Sequence, residues 1–266
     1  MANTMARAGC TSATTLAETL GIGGSDAVAF VGGGGKTSAM FRVARDLVER
    51  GEQAITTTTT RIFAAQIALA PTHVPAADAT RERVRAELAA HRHTLVIGIT
   101  DPSSGKADGV SLELFRQLRE WCPGVSLLNE ADGSRMRPFK APAGHEPVIP
   151  AETTLVVPLV GADVFGKPLD CEHVHRPELV SALAAVSLGS PITPEVVARV
   201  LAHPEGGCKA VPAGSRVVAL INKVEVLPDR APAREAAERL LRKERIEAVV
   251  LTSLRSPEPV LEVFTR

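Results

Sequence analysis

Apolar and polar residues recur along this chain with two periods, which divide it into short buried strands and amphipathic helices. Short, mainly apolar runs that are typical of buried strands occur at 26–31, 53–57, 94–99, 125–128, 155–160, 216–221 and 248–251. Helical spacing of apolar residues occurs at 37–50, 81–91, 112–121, 177–188, 194–203 and 233–245. Because strands and helices alternate with short connections, we predict an α/β fold with a doubly wound, mainly parallel sheet.

The stretch from residue 131 to residue 178 departs from this pattern. It contains one convincing strand, at 155–160, and is otherwise rich in glycine, proline and basic residues. Connections of such length inside compact domains are usually functional or disordered. We therefore predict a flexible tail over 1–14 and a single α/β domain over 15–266, in which the Gly/Pro-rich loop region 131–178 is inserted near the active site and holds a second ligand.

Composition narrows the classes of protein to which the chain can belong. Hydrophobic residues make up 45% and charged residues 23% of the 266 positions, which suffices for a full core. Thirty basic and thirty acidic residues cancel, so no overall field attracts nucleic acid or an anionic membrane. No apolar run approaches the ~20 residues that span a bilayer, and the N-terminus lacks the apolar stretch of a secretory signal. With four scattered cysteines, we expect a cytoplasmic protein with reduced thiols that binds neither nucleic acid nor membrane.

The strongest chemical motif is a run of four glycines, lysine and threonine between the first predicted strand and the helix that follows it. Glycine lets backbone N–H groups approach a phosphate closely, and the helix N-terminus adds a positive dipole end. The pattern resembles the phosphate-binding loop GxxxxGK[ST], except that Phe30 stands where the first glycine is usual. The alternative is a glycine-rich turn without a ligand. We predict a P-loop NTPase-like domain that binds Mg²⁺ with ATP or GTP through Gly32, Gly33, Gly34, Gly35, Lys36, Thr37 and Ser38.

Two acidic residues follow the apolar strand at 125–128. Glu130 and Asp132 are two positions apart, so in an extended chain they lie on one face. Carboxylates at this place in P-loop enzymes hold the metal or activate water. We predict that Lys36, Glu130 and Asp132 are catalytic and that Thr37, Glu130 and Asp132 bind Mg²⁺. The alternative is a solvated strand end.

A third motif follows the strand at 216–221. Asn222, Lys223 and Glu225 resemble the Asn-Lys-x-Asp pattern with which many GTP-binding folds contact guanine, with glutamate in place of the aspartate. The longer side chain changes the bidentate geometry that guanine requires. We predict that these residues contact the base, with GTP bound at least as well as ATP. An ordinary polar turn is the alternative.

Two weaker patterns remain open. The threonine run 56–60 continues a predicted strand, and one of its hydroxyls could meet Mg²⁺ or a γ-phosphate. Cys171, His173 and His175 could ligate zinc, although their spacing is unlike that of common structural sites. Ordinary strand and loop roles are the alternatives.

Several short blocks, the glycine motif among them, together resemble the YqeC family. The blocks lie at 32–37, 61–63, 130–134, 140–142, 145–150, 166–169 and 174–178. The resemblance implies a cytoplasmic P-loop accessory protein for the maturation of selenium-dependent molybdenum hydroxylases or of their cofactor. As partners it implies a selenium- or molybdopterin-related second ligand and the apoprotein of such a hydroxylase.

Basic residues of the region 131–178 supply a candidate site for the second ligand. Arginine suits bidentate capture of anions, and histidine changes charge near neutral pH. The candidates are Arg135, Lys140, His145 and Arg176. Three functions stay open: an NTP-hydrolysing accessory protein, a small-molecule kinase with a relaxed phosphate loop, and a nucleotide-gated cofactor chaperone with little catalysis. Whether a small molecule alone or only a protein partner accelerates NTP turnover would separate them.

Overall fold

The computed structural model describes residues 14–266 of the chain. Predictions for residues 1–13, which include nearly all of the predicted tail, lie outside the described residues. The strands are β1 (Ala27–Gly32), β2 (Ala54–Thr58), β3 (Ile62–Phe63), β4 (His73–Pro75), β5 (His93–Ile97), β6 (Thr100–Asp101), β7 (Lys106–Ala107), β8 (Ser126–Glu130), β9 (Phe139–Lys140), β10 (Leu155–Gly161), β11 (Val174–His175), β12 (Arg216–Asn222), β13 (Ala248–Thr252) and β14 (Val260–Thr265). The helices are α1 (Leu16–Thr19), α2 (Lys36–Glu49), α3 (Arg81–His91), α4 (Leu112–Trp121), α5 (Pro177–Ala184), α6 (Pro194–Ala202) and α7 (Ala231–Leu241).

Nine strands form one large sheet in the order β14-β13-β12-β10-β1-β8-β2-β5-β4. Every neighbouring pair is parallel except β13 and β14, which are antiparallel. Two small sheets lie beside it: β9 with β11, and the antiparallel set β3-β7-β6. The predicted α/β class with a mainly parallel, doubly wound sheet is confirmed.

Helices cover both faces of the sheet because successive side chains of a buried strand point to opposite sides. On β10, Leu159 packs in one cluster with Met40 and Leu47 of α2. The next residue, Val160, packs in a different cluster with Val197 of α6. β1, β8 and β10 are buried along their whole length, and the sequence shows β1 and β10 as continuous apolar runs rather than alternating ones.

Eight parallel strands of the sheet end at the same edge, and the five at its centre are β12, β10, β1, β8 and β2. Glu130, the last residue of β8, is in register with Phe30 of β1 on one side and Thr58 of β2 on the other. The segments that follow these strands therefore meet above the carboxyl edge, where open α/β sheets bind their ligands.

The structure differs from the prediction at elements too short to show a period and at β14, a six-residue edge strand that the sequence analysis did not predict. Short strands such as β3, β6, β7, β9 and β11 contain two residues each. The helix predicted at 177–188 ends at Ala184 because Ala185 adopts a φ of +53°. The region 131–178 is more regular than predicted, since β9 pairs with β11 and buries Phe139 completely. Within residues 14–266, no helix has the length and apolar character needed to cross a membrane.

Asp46 is a buried carboxylate on α2 that joins three parts of the chain. It accepts hydrogen bonds from Arg42 Nε at 3.0 Å and from the backbone N–H of Ala17 in α1 at 3.2 Å. Arg42 also donates to the backbone oxygens of Ser256 and Pro257, which follow β13. Because a buried charge is costly without its partners, this pair fixes α1 and the segment after β13 against α2.

Replacing Asp46 with alanine is expected to lower the free energy of unfolding by about 3 kcal/mol, because Arg42 stays largely buried without its partner. Urea denaturation measures the loss. The matched control is Glu49→Ala on the same helix, where the pair with Arg45 is exposed, and we expect it to cost less than about 1 kcal/mol. Equal losses in the two variants would contradict the structural role of Asp46.

Candidate functional site

The glycine loop, residues 32–35, lies flat against the end of β10. Gly32 and Gly34 have φ values of +96° and +81°, which L side chains rarely adopt. A Cβ at Gly32 would lie 2.4 Å from the carbonyl oxygen of Leu159, and one at Gly34 would lie 2.1 Å from the nitrogen of Gly161. Neither the backbone angle nor the space admits a side chain, so both positions require glycine.

Buried side chains hold the glycine loop from two sides. The backbone N–H of Gly32 lies 3.1 and 3.0 Å from the two carboxylate oxygens of Asp132. Lys36 Nζ donates to the carbonyl oxygen of Gly32 at 2.7 Å and lies 3.3 Å from Asp132 Oδ1. From the opposite side, Asn222 Nδ2 donates to the carbonyl oxygen of Gly34 at 2.7 Å. All three side chains are buried, so water does not compete for these bonds.

Thr37 and Glu130 form the closest side-chain contact at the start of α2. Thr37 Oγ1 donates to Glu130 Oε2 at 2.6 Å, and Lys36 Nζ lies 3.6 Å from Glu130 Oε1. Burial raises the pKa of Glu130, and the nearby Asp132 charge adds to this, although Lys36 and Thr37 favour the carboxylate. Burial acts to lower the pKa of Lys36, but Asp132 and Glu130 outweigh it and raise that pKa. Lys36 is therefore charged at neutral pH, while Glu130 takes a proton more readily than an exposed glutamate does.

A row of alternating charges begins at Asp132 and continues through the region 131–178. Lys140 Nζ lies 3.1 Å from Asp132 Oδ2, donates to the carbonyl oxygen of Gly133 at 2.7 Å and pairs with Glu146. Arg176 Nη1 lies 2.8 Å from the same Glu146 carboxylate. Burial acts to raise the pKa of Glu146, but hydrogen bonds from Arg176 and Lys140 lower it to about 2. The Glu146 carboxylate therefore stays charged and links Lys140 to Arg176.

A cleft of about 630 Å³ opens above the glycine loop. Its charged lining is strongly positive, because only Glu130 and Glu146 oppose the cations Lys36, Arg61, Lys106, Arg135, Arg137, Arg176, Lys223 and Arg255. Within residues 14–266, the side chains of Arg135, Arg137 and Arg255 make no hydrogen bond or ion pair. A cleft lined by one sign of charge concentrates ligands of the opposite sign. The cleft thus suits a polyanion, although the chain as a whole is neutral.

The structure places the predicted site residues in three groups. Those that line the cleft are Gly34, Gly35, Lys36, Thr37, Ser38, Glu130, Arg135, Arg176 and Lys223. Those that lie behind its wall are Gly32, Gly33, Asp132, Lys140 and Asn222. His145 and Glu225 are exposed and do not line the cleft, and the side chain of His145 is 78% exposed. Asp132 and Lys140 can therefore act on a ligand only through their neighbours, and Glu225 could reach a base only if its turn moved.

Some cleft residues were not singled out from the sequence: Gln66, Lys106, Glu146 and Arg255. Arg255 follows β13, so the tendency of ligands to bind at the carboxyl ends of parallel strands could have indicated it. Lys106 lies in a two-residue strand, and its local pattern carries no such signal. The role of Glu146 depends on its contacts with Lys140 and with Arg176, which is 30 positions away, and no local pattern indicates these contacts.

The two weaker sequence patterns have different outcomes. Four threonine hydroxyls of the run make hydrogen bonds to neighbouring segments, and these belong to Thr56, Thr57, Thr58 and Thr59. Of the five threonines, Thr60 is the one that lines the cleft. Among residues 14–266, the side chains close enough to share a metal ion are those of Asp170, Glu172 and His173, without Cys171 or His175. The structure therefore does not bring the predicted Cys/His group together.

The groups that face the cleft fit a magnesium nucleotide. Mg²⁺ prefers oxygen ligands, and the adjacent Thr37 hydroxyl and Glu130 carboxylate supply two. The first N–H groups of α2 have no acceptor within the helix, and such groups bind phosphate well. Both oxygens of Asp132 already contact the backbone N–H of Gly32, so this carboxylate fits the role of a loop support better than that of a metal ligand.

Comparison with known proteins agrees with the motif blocks found in the sequence. The family model described as "YqeC protein" matches residues 28–178, which is more than half of the chain. A protein of Escherichia coli (strain K12) named "Uncharacterized protein YqeC" is 29% identical over 241 residues. That alignment covers 89% of this chain and 91% of the relative. The chain belongs to the YqeC family.

Proposed function

We propose that this protein binds a magnesium nucleoside triphosphate, ATP or GTP, in the basic cleft and hydrolyses or transfers its terminal phosphate. The observation that carries the proposal is the Thr37–Glu130 hydrogen bond beside Lys36, where the glycine loop meets α2. A cation, a hydroxyl and a carboxylate at a helix N-terminus are the groups that phosphoryl transfer requires.

Lys36 is the group that we expect to respond first to phosphate. Its ammonium contacts the carbonyl oxygen of Gly32 and compensates the buried carboxylates of Asp132 and Glu130. A terminal phosphate above the loop competes for this ammonium because it carries more charge than either carboxylate. As Lys36 turns toward the phosphate, its hold on Glu130 weakens, while Lys140 continues to compensate Asp132.

Glu130 then acts at the reacting end of the nucleotide. Mg²⁺ held by the Thr37 hydroxyl and the Glu130 carboxylate would neutralise charge on the phosphates. If Thr37 and the phosphate oxygens hold the metal without Glu130, its carboxylate is instead free to accept a proton from an attacking water or hydroxyl. Arg135 and Arg176 lie on the same cleft wall and can bind the phosphate that is transferred or released.

The biological role that we propose is accessory: maturation of selenium-dependent molybdenum hydroxylases or of their cofactor, inside the cytoplasm. This part rests on the resemblance of the motif blocks and on family membership. The cleft supports this part as well. Its cations outnumber those that one magnesium triphosphate needs, which leaves positive charge for a second anionic ligand. Such a ligand would be a phosphoryl acceptor if turnover is kinase-like.

Lys36→Ala is expected to remove most of the stabilisation that nucleotide gives. At one hundred times its dissociation constant, Mg-ATP or Mg-GTP should stabilise the wild-type protein by ~2.7 kcal/mol. Denaturation with and without nucleotide measures the difference, which also corrects for the loss of stability in the variant itself. Lys243→Ala, an exposed lysine outside the cleft, is the control. An equal nucleotide effect in Lys36→Ala and wild type would refute phosphate binding at this loop.

Glu130→Gln and Asp132→Asn should impair different properties, the first turnover and the second nucleotide affinity and stability. Glu130→Gln keeps a hydrogen-bond acceptor for Thr37, so nucleotide should bind within about tenfold of wild type, while turnover falls by ~10²-fold or more. Asp132→Asn loses one oxygen that faces Gly32 and Lys36, so nucleotide affinity and stability should both fall. Fluorescent-nucleotide titration and phosphate release separate the two effects. Normal turnover in Glu130→Gln would remove it from the reaction.

Asn222 and Glu225 should differ in their effect on nucleotide binding. Asn222→Ala removes the support of Gly34 and should weaken GTP, ATP and CTP alike, by about tenfold for one buried hydrogen bond. Glu225→Ala should change none of the three affinities, because this side chain lies away from the cleft. A loss confined to GTP in Glu225→Ala would instead show that the turn moves and reads guanine.

A further inference from the structure

We propose that the flank of the cleft beside β2 is a separate site for an organic phosphate, formed by Arg61, Phe63 and Lys106. The ligand would bind at the same time as the nucleotide and on the opposite side of the glycine loop. This inference rests on the proposed function for the identity of the first ligand, and it assigns the chemistry of the second.

The width of the cleft leaves room for two ligands. From β12 to β2 the order is β12-β10-β1-β8-β2, which is four strand spacings or about 19 Å at ~4.8 Å each. The glycine loop follows β1, in the middle of this span. Lys223, which follows β12, and Thr60, which follows β2, line the same cleft. A nucleotide with its terminal phosphate at Lys36 extends to one side of the loop only, so the other side stays free.

The β12 side suits the nucleoside. Asn222 at the end of β12 bonds directly to the glycine loop, and a Cβ on Gly35 would lie 3.6 Å from Leu254 Cδ1. Lys223 and Arg255 line the cleft on this side, and the apolar stems of such residues can cover a flat ring. The base and ribose therefore have apolar and cationic partners toward β12 and β13.

The β2 side has the chemistry of an anion site with an apolar surface. Phe63 is 43% exposed, and Lys106 Nζ lies 5.6 Å from the centre of its ring. Arg61 Nε pairs with Asp108 at 2.7 Å, but both side chains are more than half exposed, so the pair is weak and exchangeable. Guanidinium and ammonium groups bind phosphate, and an exposed ring offers contact area to a flat organic group.

These residues are held by regular structure. Phe63 of β3 and Lys106 of β7 are directly opposite in the antiparallel pair, and β7 also pairs with β6. Arg61 precedes β3 by one residue. Cross-strand pairing fixes the spacing between the cation and the ring before any ligand arrives, which lowers the ordering cost of binding.

Calorimetry with phenyl phosphate as the probe tests this site. Wild-type protein saturated with Mg²⁺ and a non-hydrolysable ATP analogue should bind phenyl phosphate without releasing the nucleotide. The double variant Arg61→Gln, Lys106→Gln keeps the side-chain stems but loses both charges, and should bind phenyl phosphate about tenfold or more weakly. Phe63→Ala should weaken phenyl phosphate but not inorganic phosphate. Arg45→Gln, an exposed arginine on α2 outside the cleft, is the control.

Several results would overturn the proposal: no binding of phenyl phosphate to the wild type, displacement of the nucleotide by phenyl phosphate, or equal binding to the double variant and wild type. Weaker nucleotide binding in the double variant would also overturn it, since the β2 side would then belong to the nucleotide. If no nucleotide binds the wild type, the proposed function fails. Phenyl phosphate binding that depends on Arg61 and Lys106 in the nucleotide-free protein would still support the second site.

Discussion

The buried carboxylate of Asp132 is the contact on which the rest of the site depends. It accepts the backbone N–H of Gly32 and lies between two ammonium groups, those of Lys36 and Lys140. A carboxylate that is 2% exposed is tolerated only when such partners replace the water it has lost. The glycine loop and the region 131–178 must therefore adopt their positions together, since each supplies part of what Asp132 needs.

Support and chemistry are divided between different residues of this site. Asp132, Lys140 and Asn222 are buried and shape the loop, whereas Thr37 and Glu130 meet at the cleft surface. A residue whose oxygens are already occupied holds geometry well, and a residue with a free lone pair can meet a ligand. This division explains how a cleft so rich in positive charge stays ordered, because the negative charges that balance it lie mostly in or behind the wall.

Local patterns predicted the fold well and the side-chain partnerships poorly. The apolar runs of β1 and β10 and the glycine–lysine–threonine junction identify two buried strands and the start of α2, because each pattern consists of residues that are neighbours in sequence. By contrast, the sequence around Lys140 predicts an exposed loop cation. The residue is only 3% exposed, because its ammonium pairs with the carboxylates of Asp132 and Glu146. Nothing local distinguishes it from His145, which is exposed. The partners lie within eight positions of Lys140, but irregular turns bring them together, and periodicity carries no information about such turns.

The central position of β1 has a consequence for the order of events during synthesis. β1 is translated before both of its neighbours in the sheet, β8 and β10, whose residues follow about one hundred positions or more later. The backbone contacts that shape the glycine loop come from Leu159 and Arg137. A nascent chain that has not yet exposed residue 161 therefore lacks the backbone groups that hold the loop in its conformation. Long-range pairing of this kind also forms slowly. The glycine loop thus leaves the ribosome well before the segments that give it its final shape.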